Sequence, residues 1–143
     1  MEHLSEIMKQ LALLVFSLLL FSLTACGGNS STNGGANSDP AARAVEKYLS
    51  AKVRGDAEAI RAGLCSEMEA NLERETRTFE SVSNATIEAM SCVSDDPAAA
   101  SETAVRCSGE IVALYGTEET NFPLGAYRAV IEDGEWKWCG ETR

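Results

Sequence analysis

Five cysteines and a near absence of histidine set the chemistry open to this 143-residue chain. The cysteines are Cys26, Cys65, Cys92, Cys107 and Cys139, and the one histidine is His3. A four-cysteine zinc site wants close pairs of the C-x-x-C kind, whereas the last four cysteines are separated by 27, 15 and 32 positions. Disulfides suit that spacing better. With no histidine past position 3, the remainder cannot build a Ser-His-Asp or Cys-His nucleophile or a histidine-ligated metal site. Carboxylates and tyrosines are left for acid–base work. Glu88 or Glu110, in apolar strand-like stretches, would act as a general base if burial raised its pKa, although a solvated surface position is the ordinary fate of any one carboxylate in so acidic a chain. Asp95-Asp96 with Glu102 offers oxygens to calcium, but the regular Asp-x-Asp spacing and the glycine of a calcium loop are missing, and a solvated turn explains the run better. Asn84-Ala85-Thr86 matches a glycosylation triplet by chance.

An apolar run from Leu11 to Phe21 leads into Leu23-Thr24-Ala25-Cys26 and then Gly27-Gly28-Asn29-Ser30. This resembles a bacterial lipobox. A membrane-spanning helix needs ~20 apolar residues, and the fifteen positions from Leu11 to Ala25 include Ser17, Ser22 and Thr24. The resemblance implies a signal peptide over residues 1–25, cleavage after Ala25 and lipid, palmitate included, on Cys26. The chain is then held on the cell membrane or outer membrane of a bacterium, facing the periplasm or the exterior; Gly27 in place of an aspartate fits outer-membrane delivery. Signal peptides begin basic, which Glu2 and Glu6 do not, so Met8-Lys9-Gln10 is the expected start of translation.

Loss of residues 1–25 removes Lys9, Glu2 and Glu6, leaving 11 basic against 20 acidic side chains, a net charge of -9. Nucleic acid and anionic lipid surfaces both require basic clusters, and neither is an expected partner. His3 leaves with the signal. Once Cys26 carries lipid, the other four cysteines are an even number in an oxidising compartment, which points to two disulfides. Residues 26–39 are the lipidated cysteine and a Gly/Ser/Asn tether with a reach of about 20 Å, and residues 40–143 have the length of one domain.

Within that domain Asp39-Pro40 supplies a cap and a first-turn proline. Val45, Tyr48, Leu49 and Val53 follow on one helical face until Gly55. Asp56 caps a short second helix through Ile60 and Leu64. Ser66-Glu67-Met68-Glu69 has capping-box order and is expected to open a third helix, with Met68, Leu72 and Phe79 inward and Glu67, Glu73, Arg74, Glu75 and Arg77 outward. The period then becomes strand-like at Thr86 to Val93, Thr103 to Tyr115, Phe122 to Glu132 and Glu135 to Cys139, with turns at Asp95-Asp96-Pro97, Gly116 to Thr120 and Asp133-Gly134. The expected fold is α+β: two or three N-terminal helices on a curved four-stranded antiparallel meander.

Register constrains the disulfides. A two-residue turn at Asp133-Gly134 sets Ile131 opposite Trp136, Ala129 opposite Trp138 and Arg128 opposite Cys139. A hairpin centred on Ala99-Ala100 sets Cys92 opposite Cys107, within ~4.5 to 5.5 Å. Cys107 and Cys139 lie two strand spacings apart, ~9.6 Å, too far to bridge. This favours Cys92 with Cys107 and Cys65 with Cys139; the alternative is Cys65 with Cys92 and Cys107 with Cys139.

Val45 to Ala51, Gly55-Asp56-Ala57-Glu58-Ala59 and Tyr127 to Gly140 are similar to small bacterial lipoproteins with a nuclear transport factor 2-like, or cystatin-like, domain. The resemblance implies a curved sheet wrapped by helices around a cone-shaped pocket, in a superfamily where tight dimers are common and enzymes use an acid–base Asp, His or Tyr. No family catalytic motif maps onto a position here, and many such lipoproteins have no assigned function. Tyr127, Ile131, Trp136 and Trp138 share one strand face, joined by Tyr115 or Phe122, and would line such a pocket unless they are core. The expected function is non-enzymatic, without cofactor: a lipid-anchored surface domain that binds a small apolar ligand or an envelope protein. The alternative is an isomerase- or dehydratase-like enzyme using a carboxylate with Tyr127 or Tyr48.

Overall fold

Asp39 is the first residue that the computed structural model describes; the description runs over residues 39–142. The signal segment, the cleavage position at Ala25, the lipidation site at Cys26 and the tether up to Ser38 lie outside the described residues. Asp39 Oδ1 accepts the Ala42 N–H at 2.9 Å and Pro40 takes the first turn, so that α1 spans Pro40–Arg54. Gly55, in the left-handed region at φ 65°, ends it. Ala41, Ala42, Val45, Tyr48, Leu49 and Ala51 form its buried stripe. Asp56 Oδ1 accepts the Ala59 N–H at 3.0 Å and starts α2, Ala57–Gly63.

The third helical segment departs from expectation. Residues Ser66–Asn71 form a 3-10 helix and only Leu72–Thr76 are α-helical, here α3. Ser66 caps nothing within it; its N–H and Oγ both donate to the Glu132 carboxylate at 2.8 Å. A 3-10 helix turns about 120° per residue and an α-helix about 100°, so six residues rotate the chain beyond Asn71 by about 120° from the α-helical phase. Glu75, expected outside, is consequently buried, while Met68 and Leu72 still pack on the core.

The sheet has five antiparallel strands rather than four: β1 Ser83–Ser94, β2 Glu102–Tyr115, β3 Glu118–Pro123, β4 Ala126–Glu132 and β5 Glu135–Glu141. Their order is β1-β2-β4-β5, with β3 also on β2, and the sheet is not closed. β2 is long enough for two partners on one edge: Glu102 to Arg106 pair with β4, and Glu110 to Tyr115 pair with β3. The stretch expected as one strand from Phe122 therefore breaks at Leu124-Gly125, and part of the expected Gly116 to Thr120 turn is strand. Gly109, at φ 100°, sits between the two halves of β2, beside the register shift that falls between Glu88 and Ser91 of β1. A Cβ there would lie 2.5 Å from the Glu88 carbonyl oxygen. A bulge bends a strand pair, and this one lies where β2 changes partner.

Cys92 and Cys107 are register partners and are disulfide-bonded, Cα to Cα 4.1 Å. Cys65 and Cys139 form the second bridge, at 5.2 Å. The pairing favoured from register is the one present. Asp133-Gly134 turns with both φ values positive, and Ile131 faces Trp136 and Ala129 faces Trp138. A register shift follows, so Arg128 meets β5 through its side chain, with Nε 3.3 Å from the Cys139 carbonyl oxygen. The Cys65 N–H donates to the Trp138 carbonyl at 3.0 Å, docking the end of α2 along β5.

Helix α1 lies across the sheet, and Val45, Tyr48, Ile60, Val105, Ala129 and Trp138 make the centre of the core. It also covers part of the β1 edge: the Cys92 N–H donates to Glu46 Oε1 at 3.0 Å and the Ser94 N–H to Asp39 Oδ2 at 2.7 Å. Pairing of edge amides in this way blunts unwanted strand addition.

Candidate functional site

Tyr48 and Lys52 are four residues apart on α1 and so share a face. The Tyr48 ring stacks on Trp138 of β5, centroids 4.3 Å apart and planes within 7°. Lys52 Nζ stands 5.8 Å from the Trp138 ring centroid. The 3-10 helix swings α3 so that Glu75 meets both. Glu75 Oε2 accepts from the Tyr48 hydroxyl at 3.1 Å and pairs with Lys52 Nζ at 2.7 Å. Its Oε1 accepts from Arg74 Nη2 at 3.0 Å and Nε at 3.3 Å.

Burial alone would raise the Glu75 pKa, but the hydrogen bond and charge of Lys52, with the bonds from Arg74 and Tyr48, outweigh it and hold the carboxyl below its ordinary value. Burial, and then the Glu75 charge, drives Tyr48 far upward, so the phenol keeps its proton and donates. A general base must be free to take a proton near the working pH. Glu75 is instead an ionised carboxylate with every oxygen engaged.

A cavity of about 880 Å³ opens beside this cluster, walled by Lys52, Arg74, Glu75, Met68 and Trp138 among others. A second, of about 220 Å³, shares Lys52, Thr78 and Glu141 with it and is otherwise lined by apolar side chains that include Phe79, Phe122 and Tyr127. The chain matches no family model and no curated protein. The site's chemistry therefore rests on these side chains alone.

The residues singled out from the sequence are not all brought together. Trp138 is buried and walls the larger cavity, Tyr127 is buried and walls the smaller, and Ile131 and Trp136, half-buried, wall neither. Tyr127 and Trp138 have ring centroids 6.5 Å apart within the core. Burial pushes the Tyr127 pKa up, and its oxygen accepts the Gly125 N–H at 3.4 Å. Tyr115 and Phe122 do join the smaller cavity, with Phe79 edge-on to Phe122 at 6.4 Å. Glu88 and Glu110 face each other across β1 and β2 and wall neither cavity. Asp95 is held by Arg106 through two hydrogen bonds of 2.9 and 3.0 Å, and Asp96 accepts the Ala98 N–H in the turn. No group of three or more metal-ligating side chains occurs among the described residues.

Lys52, Arg74 and Glu75 were not evident from sequence as site residues. For Lys52 a signal exists: a lysine one turn after Tyr48, on the face that the helix buries, needs a buried anion. For Glu75 there is none, because its direction depends on the 3-10 turn before it.

Proposed function

We propose that this is a membrane-tethered extracytoplasmic lipoprotein whose domain, of the nuclear transport factor 2-like kind, binds a small ligand in the cleft beside Trp138 without transforming it. The lipobox-like segment ending at Cys26 supports the tether, and the two disulfides suit an oxidising compartment. No helix among the described residues is long and apolar enough to cross a membrane, and in this reading the anchor is the lipid on Cys26. The three helices on one face of a bulged antiparallel sheet agree with the family resemblance in layer order.

The observation that carries the binding reading is the state of Glu75. A tyrosine hydroxyl beside a buried carboxylate at a cavity is what an acid–base enzyme of this fold would need, but here two cations neutralise the carboxylate and fix it in place. A preformed cleft whose buried carboxylate is already fully engaged is suited to holding a ligand. The test has two parts. Radiolabelled palmitate fed to a bacterial host should enter the wild-type protein and not Cys26→Ser; equal labelling of both sinks the anchor. Native mass spectrometry of residues 27–143, exported behind a cleavable secretory signal, should show a small co-purified molecule released on denaturation. Recovery of a stoichiometric envelope protein in its place would move the binding role to protein recognition.

A further inference from the structure

The two cavities have unlike walls on either side of their shared residues. On the side of the smaller one, Leu49, Phe79, Ile111, Phe122, Leu124 and Tyr127 present carbon. On the side of the larger one, Lys52 and Arg74 both lean on the single carboxylate of Glu75. We propose, building on the ligand-binding reading above, that the adjoining cavities form one site for a small anionic amphiphile, with its apolar tail in the aromatic limb and its head group against Lys52 and Arg74.

The tail's size follows from volume. The 220 Å³ limb is of a size for a short alkyl chain rather than for a bulky ring system. At its mouth Tyr115 and Phe122 remain 47% and 36% exposed, an aromatic rim that a longer tail would cover. The head's sign follows from the donors left over at Lys52 and Arg74 rather than from net charge, since the wall carries Lys52, Arg74 and Arg77 against Glu73, Glu75 and Glu141. One carboxylate offsets one of the two cations that hold it. A lysine ammonium has three donors and a guanidinium five; one from Lys52 and two from Arg74 go to Glu75. Arg77, also on the wall, is offset by Glu73 at 3.3 Å and Glu80 at 2.6 Å. Glu141 borders both cavities and opposes an anion; it is exposed and screened by water, as is Arg74 at 69%. The Lys52 side chain is 14% exposed and its field is screened less, so Lys52 carries most of the attraction and Arg74 adds hydrogen-bond donors. An anionic head meeting Lys52 and Arg74 gains charge-assisted hydrogen bonds, which are the strong ones.

The probes are octanoate, octan-1-ol and octylammonium, titrated into residues 27–143 and followed by tryptophan fluorescence and calorimetry; this stretch contains the whole described core. Octanoate should bind saturably and about tenfold more tightly than either homologue, the scale of one hydrogen bond to a charged group. Arg74→Gln, at an exposed position, should weaken octanoate by about tenfold and leave octan-1-ol unchanged, while Phe122→Ser weakens both alike. Octylammonium binding as tightly as octanoate, or Arg74→Gln without effect, overturns the proposal. No saturable octanoate binding, with a different small molecule found by native mass spectrometry, overturns the amphiphile and keeps the ligand-binding reading. No binding of any probe and no co-purified molecule overturns both.

Discussion

Asp39 and Glu75 are 7% and 3% exposed, and the molecule uses them in opposite ways. Asp39 accepts from neutral donors of the fold itself, the N–H groups of Ala42 and Ser94 and the Ser94 hydroxyl, and the Arg43 charge is the smaller contribution. It starts α1, pins it to the end of β1, and walls neither of the two cavities of the site. Glu75 is satisfied by a phenol and two cations, and it walls the larger cavity. A buried carboxylate therefore does not mark a site by its burial. The kind of donor that answers it does, because backbone donors are spent on the fold whereas side-chain cations retain donors and charge for something else.

This contrast can be broken at several points. Removal of Glu75 should have the largest effect: Glu75→Ala leaves Lys52 and Tyr48 without their acceptor and is expected to cost about 3 kcal/mol by urea unfolding. Glu75→Leu combined with Lys52→Met should recover most of that loss; if the double variant is as unstable as the single, the cluster is not an ion-pair site. Asp39→Ala removes a cap and the Ser94 bonds, and about 2 kcal/mol is expected, with octanoate affinity unchanged. A change in affinity there would erase the distinction between the two carboxylates.

Acid should act on both in the same sense. For each, burial opposes ionisation but hydrogen bonds and nearby cations prevail, so the folded pKa lies below the ordinary 3.8 of Asp39 and 4.5 of Glu75. A depressed folded pKa contributes stability that is complete above the unfolded value and is lost as pH falls through the folded one. Unfolding midpoints should be flat above pH 5 to 6 and fall below about pH 4, and the fall should be shallower in Asp39→Ala and in the Leu/Met double variant. An equal slope in all three proteins would place the acid sensitivity elsewhere. Least of all should change in Arg74→Ala, whose side chain is 69% exposed: no more than about 0.5 kcal/mol of stability is expected, against the larger effect on octanoate binding.

Much of the frame was legible because it rests on local rules. Asp39-Pro40 and Gly55 bound the first helix by capping chemistry, and the Asp133-Gly134 turn fixed which residues of β4 and β5 oppose each other. Counting back from Ala99-Ala100 aligned Cys92 with Cys107. The strand count was not legible, since Phe122-Pro123-Leu124-Gly125 reads as apolar chain whether it runs on or changes neighbours. Only β2, by offering one edge to two partners, decides that. The site was hidden for a related reason. A helical wheel drawn from Ser66 assumes one pitch, and the six residues of tighter pitch turn Glu75 from solvent to the interior. The four aromatic and aliphatic positions read as a pocket face do share a face, but packing claims most of it, Trp138 under Tyr48 above all.

The two bridges also differ in the chain length they enclose, 15 positions for Cys92–Cys107 and 74 for Cys65–Cys139. On the proposed route, in which the chain is exported across a membrane from its N-terminus, Cys65 would emerge long before its proper mate and meet Cys92 and Cys107 first. Early closure of the β1–β2 hairpin takes both wrong mates out of circulation. On that route a short bridge formed early would keep the long one from mispairing, and an oxidant that spares the hairpin would be expected to scramble the whole domain.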